Sequence, residues 1–98
     1  MKINDKELSE VSGGFSESTS VVYTLETGDC FKCAGTFRIY YIPRTYSNVG
    51  PNATISVEKY QFDSERNVYK YIGNSNGLFV YNVIGDGYLG KLTNLVRD

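Results

Sequence analysis

From residue 21 the chain alternates in a way that only an extended backbone can use. Val21, Tyr23 and Leu25 fall on one side, and Val22, Thr24 and Glu26 on the other. This period of two marks a half-buried strand, since apolar positions on a helix recur every three to four residues. Similar runs follow, and the reading places six strands at about 20–26, 36–42, 54–62, 67–72, 78–84 and 88–92. Pro43 ends the second run, because proline cannot donate to a ladder. In the third, Ile55 and Val57 are followed by Tyr60 and Phe62, a change of phase that predicts a bulge near Glu58-Lys59. Asp63 and Glu65 read as residues of a polar turn, residues 73–77 as a glycine-bounded turn, and Asp86-Gly87 as a hairpin pair. Leu92, Leu95 and Val96 also fit a closing helical turn. Runs 36–42 and 78–84 carry large side chains on both faces: Phe37, Ile39 and Tyr41 against Tyr40 and Ile42, and Leu78 and Val80 against Phe79, Tyr81 and Val83. They are predicted to be the central strands. The expected fold class is all-β, a small antiparallel meander of about five to six strands curled into a barrel or sandwich.

Composition narrows the chemistry. The chain has 98 residues, enough for one domain, and its 41% hydrophobic content supports a folded core. It has no histidine, which removes the commonest general base near neutral pH and the commonest metal ligand. No carboxylate pair, phosphate loop or nucleophile-base constellation stands out either. No catalytic residue, metal or cofactor is expected, and the chain does not read as an enzyme. A formal net charge of -1 leaves nothing to neutralise a run of phosphates, so nucleic acid is not an expected partner. No apolar run approaches the roughly 20 residues of a membrane helix, so no membrane span is expected.

The first fourteen residues are of another kind, with five charged side chains and no aromatic, whereas all nine tyrosines lie beyond residue 20. Asn4 and Glu7 have the spacing of a helix cap with its reciprocal acidic partner. A short helix over about 5–11 would gather Ile3, Leu8 and Val11 within an arc of about 140°. So short a helix is marginal alone, and Gly13-Gly14 stops it, so it should order only where something grips its apolar side.

These residues carry a resemblance. Residues 3–14, INDKELSEVSGG, resemble the double-glycine leader of class II bacteriocins and related ribosomal peptides of Gram-positive bacteria. The family's pattern places an aliphatic at Ile3, an acid at Glu7, leucine at Leu8, an aliphatic at Val11 and the pair at Gly13 and Gly14. Asn4 departs from the usual serine but keeps a capping side chain. The resemblance implies that a peptidase-containing ABC exporter grips these positions and cuts after Gly14, giving a cytoplasmic precursor and a secreted product. It covers only the first seventh of the chain and does not describe the cargo. The implied organisation is a leader at 1–14, a polar tether at 15–20 and a small β-domain at 21–98.

Two features of the cargo invite a functional reading. Cys30-Phe31-Lys32-Cys33 lies in the connection expected between the first two strands. The expected state of the pair is a short-loop disulfide between Cys30 and Cys33, formed after export into an oxidising setting. A thiol redox site lacks the helix N-terminus it needs, and a zinc site would need a second copy to complete its ligands. Thioether rings, which also follow double-glycine leaders, are a further alternative. Tyr69 and Tyr71 share a face of the fourth run, and Tyr40 and Tyr81 are candidates to join them in an exposed binding patch.

Removal of the leader takes away two lysines and three acids, leaving eight side chains of each sign. A neutral β-protein lacks the cationic amphipathic helix of membrane-active bacteriocins. The expectation is therefore a bacteriocin-like secreted protein that binds a cell-surface or protein target on neighbouring cells. The alternative is a secreted binding or adhesion module that does not kill.

Overall fold

The computed structural model describes residues 21–85 and 87–97. The leader, the tether, the start of the first predicted strand and Asp86 of the hairpin pair lie outside the described residues. Eight strands and one short helix occur among those described: β1 (Tyr23–Leu25), β2 (Asp29–Lys32), β3 (Arg38–Tyr41), β4 (Tyr46–Val49), β5 (Thr54–Asp63), β6 (Val68–Phe79), α1 (Val80–Ile84), β7 (Tyr88–Lys91) and β8 (Leu95–Val96). The all-β class holds. β1 and β4 form a two-stranded sheet, and the other six run in the order β7-β2-β3-β5-β6-β8. All neighbours are antiparallel except β6 and β8.

That order dictates a curl. β7 and β8 lie at opposite edges of the six-stranded sheet, yet only residues 92–94 join them. Four residue steps reach at most about 14 Å, whereas five strand spacings in a flat sheet amount to about 24 Å. The sheet bends into a half-barrel, and the 88–96 segment ties its two edges together. The tie is hydrogen-bonded: the Tyr69 N–H donates to the Asn94 carbonyl at 2.8 Å, and the Asn94 side-chain amide donates to the Asn67 carbonyl at 3.2 Å.

Two separate cores result, one on each face of the sheet. Cys30, Ile39 and Tyr60 are buried on the inner face with Tyr41, Tyr69, Tyr71, Leu92 and Leu95 around them. On the outer face Phe31, Ile42, Ile55 and Val57 pack with Leu25, Val80 and Val83, beneath the β1/β4 ribbon and α1. Each fully buried aliphatic side chain there contributes on the order of 1.5–3 kcal/mol. The ribbon is pinned by Tyr46, whose hydroxyl donates to the Ser56 carbonyl at 3.1 Å and accepts from the Ser56 N–H at 3.2 Å.

The phase change in β5 has a different origin from the expected bulge. Residues 58–61 pair with β3 in unbroken register, and the extra residues belong to β6, whose register slips opposite Ile55/Val57 and Lys59/Tyr60. β5 alternates evenly throughout. Its first half buries the outer face through Ile55 and Val57, and its second half buries the inner face through Tyr60.

The predicted turn at 73–77 and the fifth strand at 78–84 are corrected. Residues 68–79 form one strand, with Gly73 at φ 134° and Gly77 at φ 72° beside the two register slips. Glycine supplies the same positive φ to a bulge as to a turn. Residues 80–84 are helical because Val80 and Val83, both 0% exposed, meet the core three residues apart, while Phe79 and Tyr81 face solvent. An apolar run this short fits either period. Of the two runs predicted to be central, 36–42 is so, as β3 between β2 and β5. Leu95 and Val96 form β8 and not a helical turn. β2 and β4 escape the alternation reading altogether.

Candidate binding site

The half-barrel has two ends that differ in kind. At one end the Arg97 guanidinium lies 3.9 Å above the Tyr71 ring and forms an ion pair with Glu58 at 3.0 Å. Glu58 also accepts a hydrogen bond from the Tyr60 hydroxyl at 3.1 Å. Burial, reinforced by this carboxylate, pushes the Tyr60 phenol up to about 12. The Tyr71 hydroxyl donates to the Asn74 side-chain carbonyl at 2.6 Å. Every polar group named here has a partner, so this end is filled.

The other end is open. The ends of β2 and β5, the starts of β3 and β6, and Leu89 of β7 surround a cleft of about 300 Å3 lined by Lys32, Thr36, Phe37, Arg38, Ile39, Phe62, Tyr69 and Leu89. Ile39 and Tyr69 belong to the inner core, so the cleft is that core's uncovered end. Phe62 and Tyr69 pack as a tilted ring pair with centroids 5.1 Å apart. The turn between β2 and β3 sets the opposite wall. Gly35 takes φ 70°, the Thr36 hydroxyl donates to the Cys33 carbonyl at 3.1 Å and accepts from the Arg38 N–H at 3.0 Å, and Phe37 is left 78% exposed. Arg38 Nε reaches the Gln61 side-chain carbonyl at 3.3 Å. Among the described residues neither Lys32 nor Arg38 has a carboxylate within ion-pairing distance.

A second depression, lined by Tyr23, Thr24, Leu25, Asp29, Phe31, Ile84 and Tyr88, lies at the edge of the outer core. Its carboxylate already has partners. Asp29 accepts from the Glu26 N–H at 2.9 Å and the Tyr88 hydroxyl at 2.9 Å, and Lys91 lies 3.3 Å away. Burial by itself raises the Asp29 pKa, but the Glu26 amide, the Tyr88 hydroxyl and Lys91 outweigh it and hold the group below its ordinary value. This is a structural clasp joining β2, β7 and the preceding turn.

The cysteine pair is not a disulfide in this fold. Both thiols are free, Cys30 fully buried and Cys33 partly so. Cys30 sits in β2 facing the inner core, and Cys33 prolongs the same ladder, its N–H donating to the Arg38 carbonyl at 3.1 Å. Three residues of extended chain span about 10 Å and reverse the face, against the roughly 4.4–6.8 Å between Cα atoms that a disulfide needs. Each sulfur has its own contact, Cys30 Sγ with the Gly28 carbonyl at 3.4 Å and Cys33 Sγ with the Tyr40 hydroxyl at 3.2 Å. Burial raises the Cys30 thiol above its ordinary value. No cluster of three or more metal-ligating side chains occurs among the described residues.

The four tyrosines do not form one face. Tyr69 and Tyr71 pack on the inner core, Tyr40 packs on the outer core, and Tyr81 projects from α1 at 64% exposure. Of the four, only Tyr69 lines the cleft. Lys32, Phe37, Phe62 and Leu89 were not singled out by sequence. The signal was present in the Ala34-Gly35-Thr36 turn, which makes the residues flanking it neighbours.

Among the described residues no helix is long and apolar enough to cross a membrane. Comparison of the chain with protein-family models, curated proteins and solved structures gave no match.

Proposed function

We propose that the chain is the precursor of a bacteriocin-like secreted β-protein. Residues 1–14 serve as a double-glycine leader, a peptidase-containing ABC exporter grips Ile3, Glu7, Leu8 and Val11, and cleavage falls between Gly14 and Phe15. The mature domain acts by binding a target on neighbouring cells, and the open end of the half-barrel is its binding site. The observation that carries the reading is the five-position match closing on Gly13-Gly14, followed after a short polar tether by a β-patterned cargo. The cleft supports the second half of the proposal, because aromatic walls beside cations that have no carboxylate partner among the described residues suit recognition more than packing.

The balance of eight positive and eight negative side chains after residue 14 argues against membrane lysis, and it fits equally a second reading, a secreted binding module that does not kill. Intact mass of the protein in the producer's medium tests export. A species spanning residues 15–98 is expected, and Gly14→Leu should abolish it; full-length protein confined to cells would overturn the leader assignment. Applying the purified product to related strains then separates the two readings, growth inhibition supporting the first and binding without inhibition the second.

A further inference from the structure

We propose that the cleft at the open end of the half-barrel binds a single-chain anionic amphiphile, its tail against Phe37, Phe62 and Leu89 and its head at Lys32. The proposal rests on the reading of this cleft as the binding site and adds the chemistry of what enters it. Three observations converge. The walls and floor are aromatic or aliphatic, and Phe37 and Leu89 remain 78% and 40% exposed, so an apolar body would remove from water a surface that the fold leaves wet. Lys32 shares the inner face with Cys30, two residues earlier in the strand, so its ammonium rises beside the cleft. It has no carboxylate partner among the described residues, whereas Lys91 and Arg97 each have one. Arg38 adds a second positive group at the rim, with Gln61 holding its Nε.

Size limits the choice. A cleft of about 300 Å3 is at the low end of ligand sites, which fits one acyl chain or one ring system and not a two-chain lipid. Charge decides the head group. A carboxylate or phosphate would meet Lys32 without displacing an existing ion pair, while a cationic head would be repelled. The depression beside Asp29 offers no such opening, since its charged lining group is a carboxylate, which would repel an anionic head.

The test uses full-length protein and three ten-carbon probes kept below their micellar concentrations: decanoate, decanol and decyltrimethylammonium. Isothermal titration should give one site with decanoate at least about tenfold tighter than decanol, because a charge-assisted contact is made only by the former. The cationic probe should bind more weakly than either. Lys32→Ala should erase the preference for decanoate over decanol, and added salt should do the same in part. Phe37→Ala should weaken both. Equal affinity for decanoate and decanol, a preference that survives Lys32→Ala, or no binding at all would overturn the proposal. A circular dichroism melt confirms that each variant folds. These titrations do not depend on export or growth assays, so the ligand assignment and the secreted-protein reading fail separately.

Discussion

The two halves of β5 serve interiors of opposite character. The first half lends Ile55 and Val57 to a largely aliphatic core that a ribbon and a helix cover, with Ile42, Val80 and Val83 each 0% exposed. The second half lends Tyr60 and Phe62 to an aromatic interior that is plugged at one end by Arg97 and open at the other. A single strand can do this because consecutive side chains point to opposite faces, and each face needs cover over only half its length. Anchorage and recognition are thereby placed on the same strand without competing for the same side chains.

Substitutions can break this division. The largest effect is expected from Ile42→Ala, which opens a cavity in the covered core. It should cost about 3 kcal/mol by urea denaturation, and a loss no greater than that of an exposed residue would mean that the outer core is not the anchor. Next is Asp29→Asn, which weakens the clasp at the edge of the same core by about 2 kcal/mol at neutral pH. The folded Asp29 carboxyl titrates below its unfolded value, so its contribution is present above the ordinary aspartate pKa of about 3.9 and is lost as pH falls through the folded pKa. The gap between parent and variant should therefore close in acid; a gap independent of pH would assign the clasp to packing alone. The smallest effect on stability is expected from Phe37→Ala, under about 0.5 kcal/mol, even though this residue forms a wall of the cleft. A large loss there would merge the two interiors into one.

Much of the fold was legible from the alternation of residues. β3, β5 and the polar turn before β6 lie close to where the pattern puts them, and Asp63 Oδ1 accepts from the Glu65 N–H at 3.0 Å as a turn residue should. β2 was hidden because Asp29, Cys30 and Phe31 are buried on two different faces and both ends of the segment are charged, so no polar-apolar alternation shows. α1 was hidden because Val80 and Val83 are followed by Gly85 before helical periodicity can repeat. The cleft was less legible still. Its residues come from five strands and a turn, and their proximity follows from the curl, which no local pattern encodes. The double-glycine motif is the reverse case, plain in sequence and outside the described residues.

The three-residue link between β7 and β8 also sets a schedule. On a ribosome, β2, β3, β5 and β6 are made while the half-barrel still lacks the segment that joins its edges. Until residues 88–96 are synthesised, the β2 edge lacks Tyr88–Lys91 and the β6 edge lacks Leu95–Val96. Closure joins residues far apart in the chain, Asp29 with Lys91 and Cys30 with Gly90, and such distant contacts make for slow folding. The inner core therefore stays open until residues 88–96 are in place, although the outer core can already form without them.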